Sequence, residues 1–361
     1  MRNWHLIRGT NYVPSHAPDA AATWTKFDEE QVVFELSLAR SVGFNAVRVW
    51  LSSEAYFAEP TRFLSNFERF LELCCTASLS VIPILFDSCG TEQRGATPSL
   101  KSASELLAMF KADSRYPDEV RREWSCKLER YIRDIAPLVR CEASDNPTSL
   151  IWETWRSNPG YSKLGEPHRH TYHPYVDAVV DSHRNDDRIL AWDVMNEPWV
   201  TEILVGNYDD PLPGEFARHF CEHVLDKGCG VPVTVGAGTL DRALRLADCV
   251  DVISFHCYQH NDALRHELDR AYAVQTSHSK PVLLTECLAA SILEDPDATT
   301  DAGQVSAYQR DLPVLAEAQI GWFQFGLMVG RAPFSYTGLF YPNGIRRPAA
   351  NMVAAAIRRE D

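Results

Sequence analysis

The sequence lacks the features that mark membrane proteins, zinc modules and nucleic-acid binders. No stretch reaches the roughly 18 consecutive apolar residues that a membrane span requires, and the opening MRNWHLIRGTNY has no apolar signal-peptide core. None of the ten cysteines stands in a C-x-x-C pair, so we predict no zinc site. Lys and Arg number 35 against 49 Asp and Glu, a formal net charge of −14. This balance argues against nucleic acid or an anionic membrane as the main partner.

Two further absences concern compartment and cofactor. Scattered cysteines in a chain of 361 residues favour reduced thiols in a cytoplasmic protein. A secreted protein whose leader had been removed would look the same, so secretion stays an alternative. No G-x-S-x-G motif occurs, and Gly236 and Gly238 in VGAGTL lack the third glycine of a dinucleotide fingerprint. We therefore expect no cofactor.

Short apolar segments alternate with helical patterns along the whole chain. Apolar residues recur at helical spacing in 28–43, 64–79, 175–186 and 305–318. Such alternation predicts an α/β protein with parallel strands and crossover helices, most simply one closed (β/α)₈ TIM barrel. A doubly wound open sheet is the alternative. The eight predicted strands are 5–12, 45–51, 80–86, 189–196, 231–236, 250–258, 281–286 and 320–327.

The segment 87–174 interrupts this alternation after the third strand. The pattern predicts a helix at 117–139 and an irregular part around 157–174. We predict that 87–174 is an insertion on the loop face of a single catalytic domain spanning 1–361. HRHTYH at 168–173 offers a metal cluster or a solvated loop; its irregular setting favours the loop, and we predict no metal ligands.

Polar and aromatic side chains gather where the predicted strands end. In a (β/α)₈ barrel those C-terminal ends form the active-site face. Two glutamates there, Glu197 and Glu286, suit cleavage of a glycosidic bond, which needs one protonated and one ionised carboxyl group. The candidate site residues, in chain order, are Arg48, Asp87, Asn196, Glu197, His256, Tyr258, Glu286, Trp322 and Phe325.

Four motifs follow one another in the order of a known family. AWDVMNEP (191–198) and PVLLTE (281–286) are accompanied by FNAVRVW (44–50) and SFHCY (254–258). Together they resemble the strand-four, strand-seven, strand-two and strand-six signatures of clan A, the retaining glycoside hydrolases with (β/α)₈ barrels. The cellulase-like family 5 is the nearest comparison. The resemblance runs from about residue 7 to 350, excluding 87–174.

The resemblance implies a role for each carboxyl group and its neighbours. Glu197 would be the general acid/base, Glu286 the nucleophile, and Asn196 would bind the sugar 2-hydroxyl. Arg48 and Tyr258 would hold Glu286 ionised and aimed, the guanidinium lowering its pKa. The carboxyl groups of a retaining pair lie about 5–5.5 Å apart.

The remaining candidates stand where the resemblance is weaker. His256 would lie beside the acid/base or the sugar. LFDSCG places Asp87, or Cys89, where many members of the family have a histidine. GWFQFGL places Phe325 where many have a tryptophan under the sugar, with Trp322 as an alternative floor.

The expected substrate is an oligosaccharide or another β-glycoside, and three other functions stay open. A metal-dependent barrel hydrolase needs His-x-His at the end of strand one, where this chain has Thr10-Asn11-Tyr12. A non-catalytic sugar-binding barrel would not need both glutamates. A transglycosylase would use the same pair in a pocket that excludes water better.

Overall fold

The computed structural model describes residues 2–89, 103–112, 114, 118–130, 132–133, 157–199, 210–288, 300–330 and 337–360. Its strands are β1 Arg8–Tyr12, β2 Ala46–Trp50, β3 Ser80–Asp87, β4 Trp192–Asn196, β5 Val233–Thr234, β6 Gly236–Ala237, β7 Ile253–His256, β8 Val282–Cys287 and β9 Gly321–Gln324. Its α-helices are α1 Ala20–Thr25, α2 Glu29–Val42, α3 Ser53–Ala58, α4 Pro60–Thr76, α5 Ala103–Ala112, α6 Asp118–Arg130, α7 His173–Asp181, α8 Leu212–Asp226, α9 Leu240–Leu244, α10 Asn261–His278, α11 Asp301–Glu317 and α12 Pro348–Glu360. Short 3-10 helices lie at Trp4–Leu6, Tyr161–Lys163 and Arg169–Tyr172.

The strands form one parallel sheet that closes on itself. Its order is β5-β4-β3-β2-β1-β9-β8-β7-β6. The two end strands are halves of one predicted strand, because Val235 alone separates β5 from β6. β5 pairs with β4, and β6 pairs with β7. The predicted (β/α)₈ barrel is therefore confirmed, and the open sheet is excluded.

The helices pack around this barrel in the way their sequence patterns predict. In α2, the Asp28 side chain caps the first turn by accepting from the backbone N–H of Gln31, and Gly43 ends the helix at φ 106°. Glycine suits that position because a left-handed backbone strains residues that carry a Cβ. The buried face, including Val32 and Leu36, contacts the core. None of the described helices is long and apolar enough to cross a bilayer.

The lower, N-terminal end of the barrel interior is filled by apolar side chains. We call this group the apolar plug: Ala46, Ile82, Leu190, Val252, Leu283 and Phe323. A Cβ at Gly9 would lie 2.2 Å from the Phe323 ring, so glycine makes room for that ring. The plug contains no polar side chain and leaves the upper end of the interior for the polar ones.

The first residue of the predicted insertion, Asp87, pairs with Asn158 at the upper end of β3. Asp87 N donates to Asn158 O at 2.7 Å, and Asn158 N donates to Asp87 O at 2.8 Å. The Asn158 side chain is anchored as well, donating to the carbonyls of Leu51 and Leu85. The predicted helix at 117–139 is present as α6, Asp118–Arg130; the part of that prediction beyond residue 133 lies outside the described residues.

Candidate active site

Arg48 organises the upper end of the barrel. It points inward from β2, is fully buried, and uses all five of its N–H groups. Nε and Nη2 contact Asp193 Oδ2 at 2.9 and 2.8 Å. Nη1 donates to Asn11 Oδ1 at 2.9 Å and to Glu286 Oε1 at 2.6 Å, and Nη2 donates to Asn196 Oδ1 at 2.7 Å. One guanidinium therefore fixes four side chains from three other strands, β1, β4 and β8.

Glu286 has hydrogen-bond donors at both of its carboxylate oxygens. Arg48 holds Oε1, the Tyr258 hydroxyl donates to Oε2, and His256 Nδ1 lies 3.3 Å from Oε2. Register irregularities in β7 and β8 bring His256 and Glu286 into direct pairing. Such a bulge re-aims a side chain, and here it turns Glu286 into the barrel.

Glu197 is directed to the same part of the barrel by an unusual backbone conformation. Its backbone adopts φ 47°, a left-handed conformation that costs a residue with a Cβ on the order of 1–3 kcal/mol. The turn is held on both sides: Glu197 N donates to Gly236 O at 2.7 Å, and Ser88 Oγ donates to Glu197 O at 2.6 Å. The carboxyl group consequently leaves the end of β4 toward the barrel axis.

His256 lies between the two carboxyl groups. Its Nδ1 is 2.8 Å from Glu197 Oε1 and 3.3 Å from Glu286 Oε2. Burial lowers the pKa of His256 to about 4, so the ring is neutral near pH 7 and carries one proton. Nε2 is buried with no acceptor among the described residues. The proton therefore belongs on Nδ1, where it can be donated to a carboxylate.

The two carboxyl groups lie close together, and different neighbours act on the pKa of each. Ligand atoms of Glu197, His256 and Glu286 all lie within 4.8 Å of one another. Burial raises the pKa of both glutamates. For Glu286 the expected lowering of the pKa by Arg48 is present, with His256 and Tyr258 acting in the same direction, but burial outweighs all three. At Glu197 the main opposing contact is a hydrogen bond from Cys89.

Gly236 lets the backbone approach this group closely. A Cβ there would lie 2.4 Å from Arg48 Nη2, 2.8 Å from Asp193 Oδ2 and 3.1 Å from His256 Nε2. The backbone N–H of Gly236 also donates to Asp193 Oδ1 at 2.9 Å. The division of the fifth strand into β5 and β6 therefore falls beside a residue that must lack a side chain.

Asp87 supports Asn196. Its Oδ1 accepts from Asn196 Nδ2 at 3.0 Å and from the backbone N–H of Cys89 at 2.8 Å. Asn196 Oδ1 is held by Arg48. The Asn196 amide is therefore fixed at both its oxygen and one N–H.

The two aromatic candidates lie at different depths. Phe325 follows β9 and packs edge-on against Tyr258, with ring centroids 6.1 Å apart. Trp322 is fully buried and lies under the Arg8 guanidinium, which is 5.4 Å from its ring centroid. Trp322 also pairs with Arg8 at the start of β1. The structure thus brings Phe325 to the site and leaves Trp322 at the lower end of the barrel.

Seven of the nine sequence candidates are the carboxyl pair itself and the five side chains that surround it or hold its neighbours, and Phe325 packs beside them. The set also has members that the sequence analysis did not select: Asn11, Asp193 and Gly236. A charged residue inside an otherwise apolar strand, as Asp193 is in ILAWDVMN, is the signal that could have found it. We call Arg48, Asp193, Glu197, His256 and Glu286 the charged centre.

The charged centre contains a possible cation-binding set, because Glu197, His256 and Glu286 offer three ligand atoms. The fully buried Arg48 guanidinium already contacts Glu286 at 2.6 Å. A fixed positive charge at that distance opposes a metal ion at the same carboxylate. The strand-one end carries Asn11, which holds Arg48, in the place where a metal hydrolase would need a histidine.

Comparisons with known proteins show the fold. No protein-family model and no curated protein matches the chain. It is similar to a GH5_18 variant from Streptomyces cattleya in complex with Manβ1-4GlcNAc (14% identity, TM-score 0.58, 98% of this chain and 80% of that one). It is also similar to an exo-β-1,4-mannosidase from Opitutaceae bacterium strain TAV5 (18%, 0.55, 98% and 59%) and an endo-1,4-β-mannanase from Rhizomucor miehei (15%, 0.55, 98% and 94%). The family 5-like barrel that the motifs imply is thereby confirmed as a fold.

Proposed function

We propose that this protein is a retaining β-glycoside hydrolase that acts by double displacement. The observation that carries the proposal is the placement of two glutamates at the upper ends of β4 and β8, with oxygens within 4.8 Å of each other. Inverting pairs lie about 6.5–9.5 Å apart because a water molecule must fit between carboxylate and sugar. The shorter separation favours direct attack by one carboxylate.

Glu286 is the nucleophile in this proposal. Arg48 and Tyr258 donate to its two oxygens and stabilise its ionised form, which offsets part of the cost of burial. In the first step a Glu286 oxygen bonds to the anomeric carbon while the bond to the leaving oxygen breaks. The product is a glycosyl ester of Glu286, and the guanidinium and phenol keep that side chain aimed.

Glu197 is the acid and then the base. Burial raises its pKa, which favours the protonated form that gives its proton to the leaving oxygen. In the second step the ionised Glu197 takes a proton from water as the water oxygen attacks the anomeric carbon. The ester bond breaks, and Glu286 is released as a carboxylate. His256 donates its Nδ1 proton in a hydrogen bond to whichever of the two glutamates is ionised at each step.

The substrate is expected to be a β-mannoside or a short oligosaccharide that contains one. The similar structures carry mannoside names, for a disaccharide complex, an exo-mannosidase and a mannanase. Asn196, held by Arg48 and Asp87, would meet the sugar 2-hydroxyl with its remaining N–H. We also propose that 87–174 shapes the sugar-binding face, since Asp87 and Asn158 of this segment pair at the upper end of β3, beside Asn196.

Substitution of each glutamate tests the proposal. Glu286→Ala and Glu197→Ala should both fold, because Arg48 keeps its contact with Asp193 and no apolar packing is lost. Hydrolysis of 4-nitrophenyl β-mannoside should fall by at least about 1,000-fold in Glu286→Ala. Near-normal turnover by either folded variant on any aryl β-glycoside that the wild type hydrolyses would refute the assignment. Glu317→Ala, an exposed glutamate on α11, is the matched control.

A further inference from the structure

A cluster of histidines lies on the outer face of the barrel, away from the charged centre. His170 belongs to the 3-10 helix Arg169–Tyr172, and His173 is the first residue of α7. His219 comes from the neighbouring helix α8. The irregular setting of HRHTYH favoured a solvated loop, and nothing in that motif indicates His219, which lies 46 residues after His173.

The three imidazole rings face one another. His173 Nε2 is 2.7 Å from His219 Nε2. The His170 ring centroid lies 5.3 Å from that of His173 and 5.6 Å from that of His219. One ring nitrogen from each residue lies within 4.8 Å of the other two. We propose that His170, His173 and His219 bind a divalent transition-metal ion of the zinc class.

The distances suit such an ion. Zinc binds imidazole nitrogen at about 2.0–2.1 Å in tetrahedral geometry, so two bound nitrogens lie roughly 3.4 Å apart. The His173 and His219 nitrogens are 2.7 Å apart, and all three ligand nitrogens lie within 4.8 Å of one another, so the bound spacing is within reach. The His170 side chain is 63% exposed, and the other two are partly exposed, so small side-chain rotations can complete the geometry. Imidazole ligands select zinc, nickel and copper over calcium and magnesium.

The surroundings hold the ligands in place and leave them available. The His223 ring stacks on His173 with centroids 4.2 Å apart, and Asp177 fixes His223 through its Nε2. The His219 ring stacks on His173 from the other helix, with ring centroids 5.0 Å apart.

The site has a structural consequence. His170 and His173 lie at the C-terminal end of the predicted insertion 87–174, whereas His219 lies on the crossover helix that follows β4. A bound ion would tie these two crossovers together on the barrel surface. Binding to the folded chain alone would then raise its melting temperature.

Calorimetric titration with zinc chloride, on protein that carries no histidine tag, tests the site. We expect one zinc ion per chain and a higher melting temperature in thermal unfolding. His170→Ala and His219→Ala should each weaken binding by at least about tenfold. His266→Ala, which removes an exposed histidine on α10, should bind zinc as the wild type does.

A second control separates this site from the charged centre. Glu286→Gln should retain zinc binding, because Glu286 belongs to the other group of possible ligands. Absence of saturable zinc binding in the wild type would overturn the proposal, as would equal binding by His170→Ala. The His170 ring is exposed, so its removal decides the question even if His219→Ala fails to fold. Neither result bears on glycoside hydrolysis.

Discussion

The two ends of the barrel interior are built from the same strands but from opposite kinds of side chain. β2 supplies Ala46 to the apolar plug and, two residues later, Arg48 to the charged centre. β8 supplies Leu283 to the plug and Glu286 to the centre. The plug buries apolar surface and stabilises the barrel. The centre buries charges, which costs stability unless every partner is present. Stability and chemistry are thus separated along each strand.

The largest effect should follow from removing the cation of the charged centre. Arg48→Met leaves Asp193 and Glu286 buried without their guanidinium, which should cost about 3–5 kcal/mol of unfolding free energy. Activity should fall on the order of 100-fold or more. The control is Arg69→Met: Arg69 also contacts two carboxylates, but its side chain is 44% exposed, so the change should cost less than about 1 kcal/mol.

Urea denaturation and hydrolysis of an aryl β-glycoside measure both consequences. Equal stabilities of Arg48→Met and Arg69→Met would contradict the view that the charged centre depends on complete pairing.

Truncation within the apolar plug should affect stability alone. Phe323→Ala leaves a cavity next to Gly9 and should cost about 3–5 kcal/mol. Below its melting temperature the variant should hydrolyse substrate with a kcat near that of the wild type. Tyr272→Ala, an exposed position on α10, should cost less than about 1 kcal/mol. A large loss of kcat in folded Phe323→Ala would show that the two ends are not separable.

A single methyl group can be placed at the charged centre itself. Gly236→Ala would bring a Cβ to 2.4 Å from Arg48 Nη2, so the guanidinium or the strand must shift. We expect the unfolding free energy to fall by about 1–3 kcal/mol. We also expect kcat to fall by up to about 100-fold, because the catalytic groups would be misplaced. At Gly165 the same methyl group meets only Leu212 at 3.6 Å, so Gly165→Ala is the control. Identical kinetics for the two variants would contradict the close approach.

The smallest effect concerns one hydrogen bond to the acid/base. The Cys89 thiol donates to Glu197 and opposes the rise of its pKa, so Cys89→Ala should raise that pKa further. Glu197 must be protonated for the first step, and activity falls as the pH rises through its pKa. The alkaline limb of kcat/KM should therefore move to higher pH, whereas Cys75→Ala, at an exposed thiol, should leave it in place. A limb that moves to lower pH would contradict the assigned donor.

The barrel could be predicted because its signals are local. All eight predicted strands are present, and the pattern at 28–43 became a helix that ends at Gly43. The Arg48 and Glu286 contact was also anticipated, through the family resemblance. Alternation along a strand depends on two neighbouring residues, which a sequence displays directly.

The aim of the glutamates could not be derived from alternation. Leu284 and Cys287 face the outer core and Leu283 faces the plug, so simple alternation from Leu283 would point Glu286 outward. A register irregularity turns it inward, and a left-handed backbone does the same for Glu197. Both depend on pairing with distant segments. The position of Trp322, a sequence candidate for the sugar floor, also depends on pairing with distant segments, so it could not be predicted from the sequence.

Covalent trapping tests the central claim most directly. An activated 2-deoxy-2-fluoro β-mannoside, or the corresponding derivative of whichever β-glycoside the protein hydrolyses, slows the second step and accumulates the glycosyl ester. Mass spectrometry of the digested protein should find one fluorosugar per chain, on Glu286, and none in Glu286→Gln. A label on Glu197 or on any other residue, or hydrolysis that releases the sugar with inverted configuration and no labelled chain, would contradict the account.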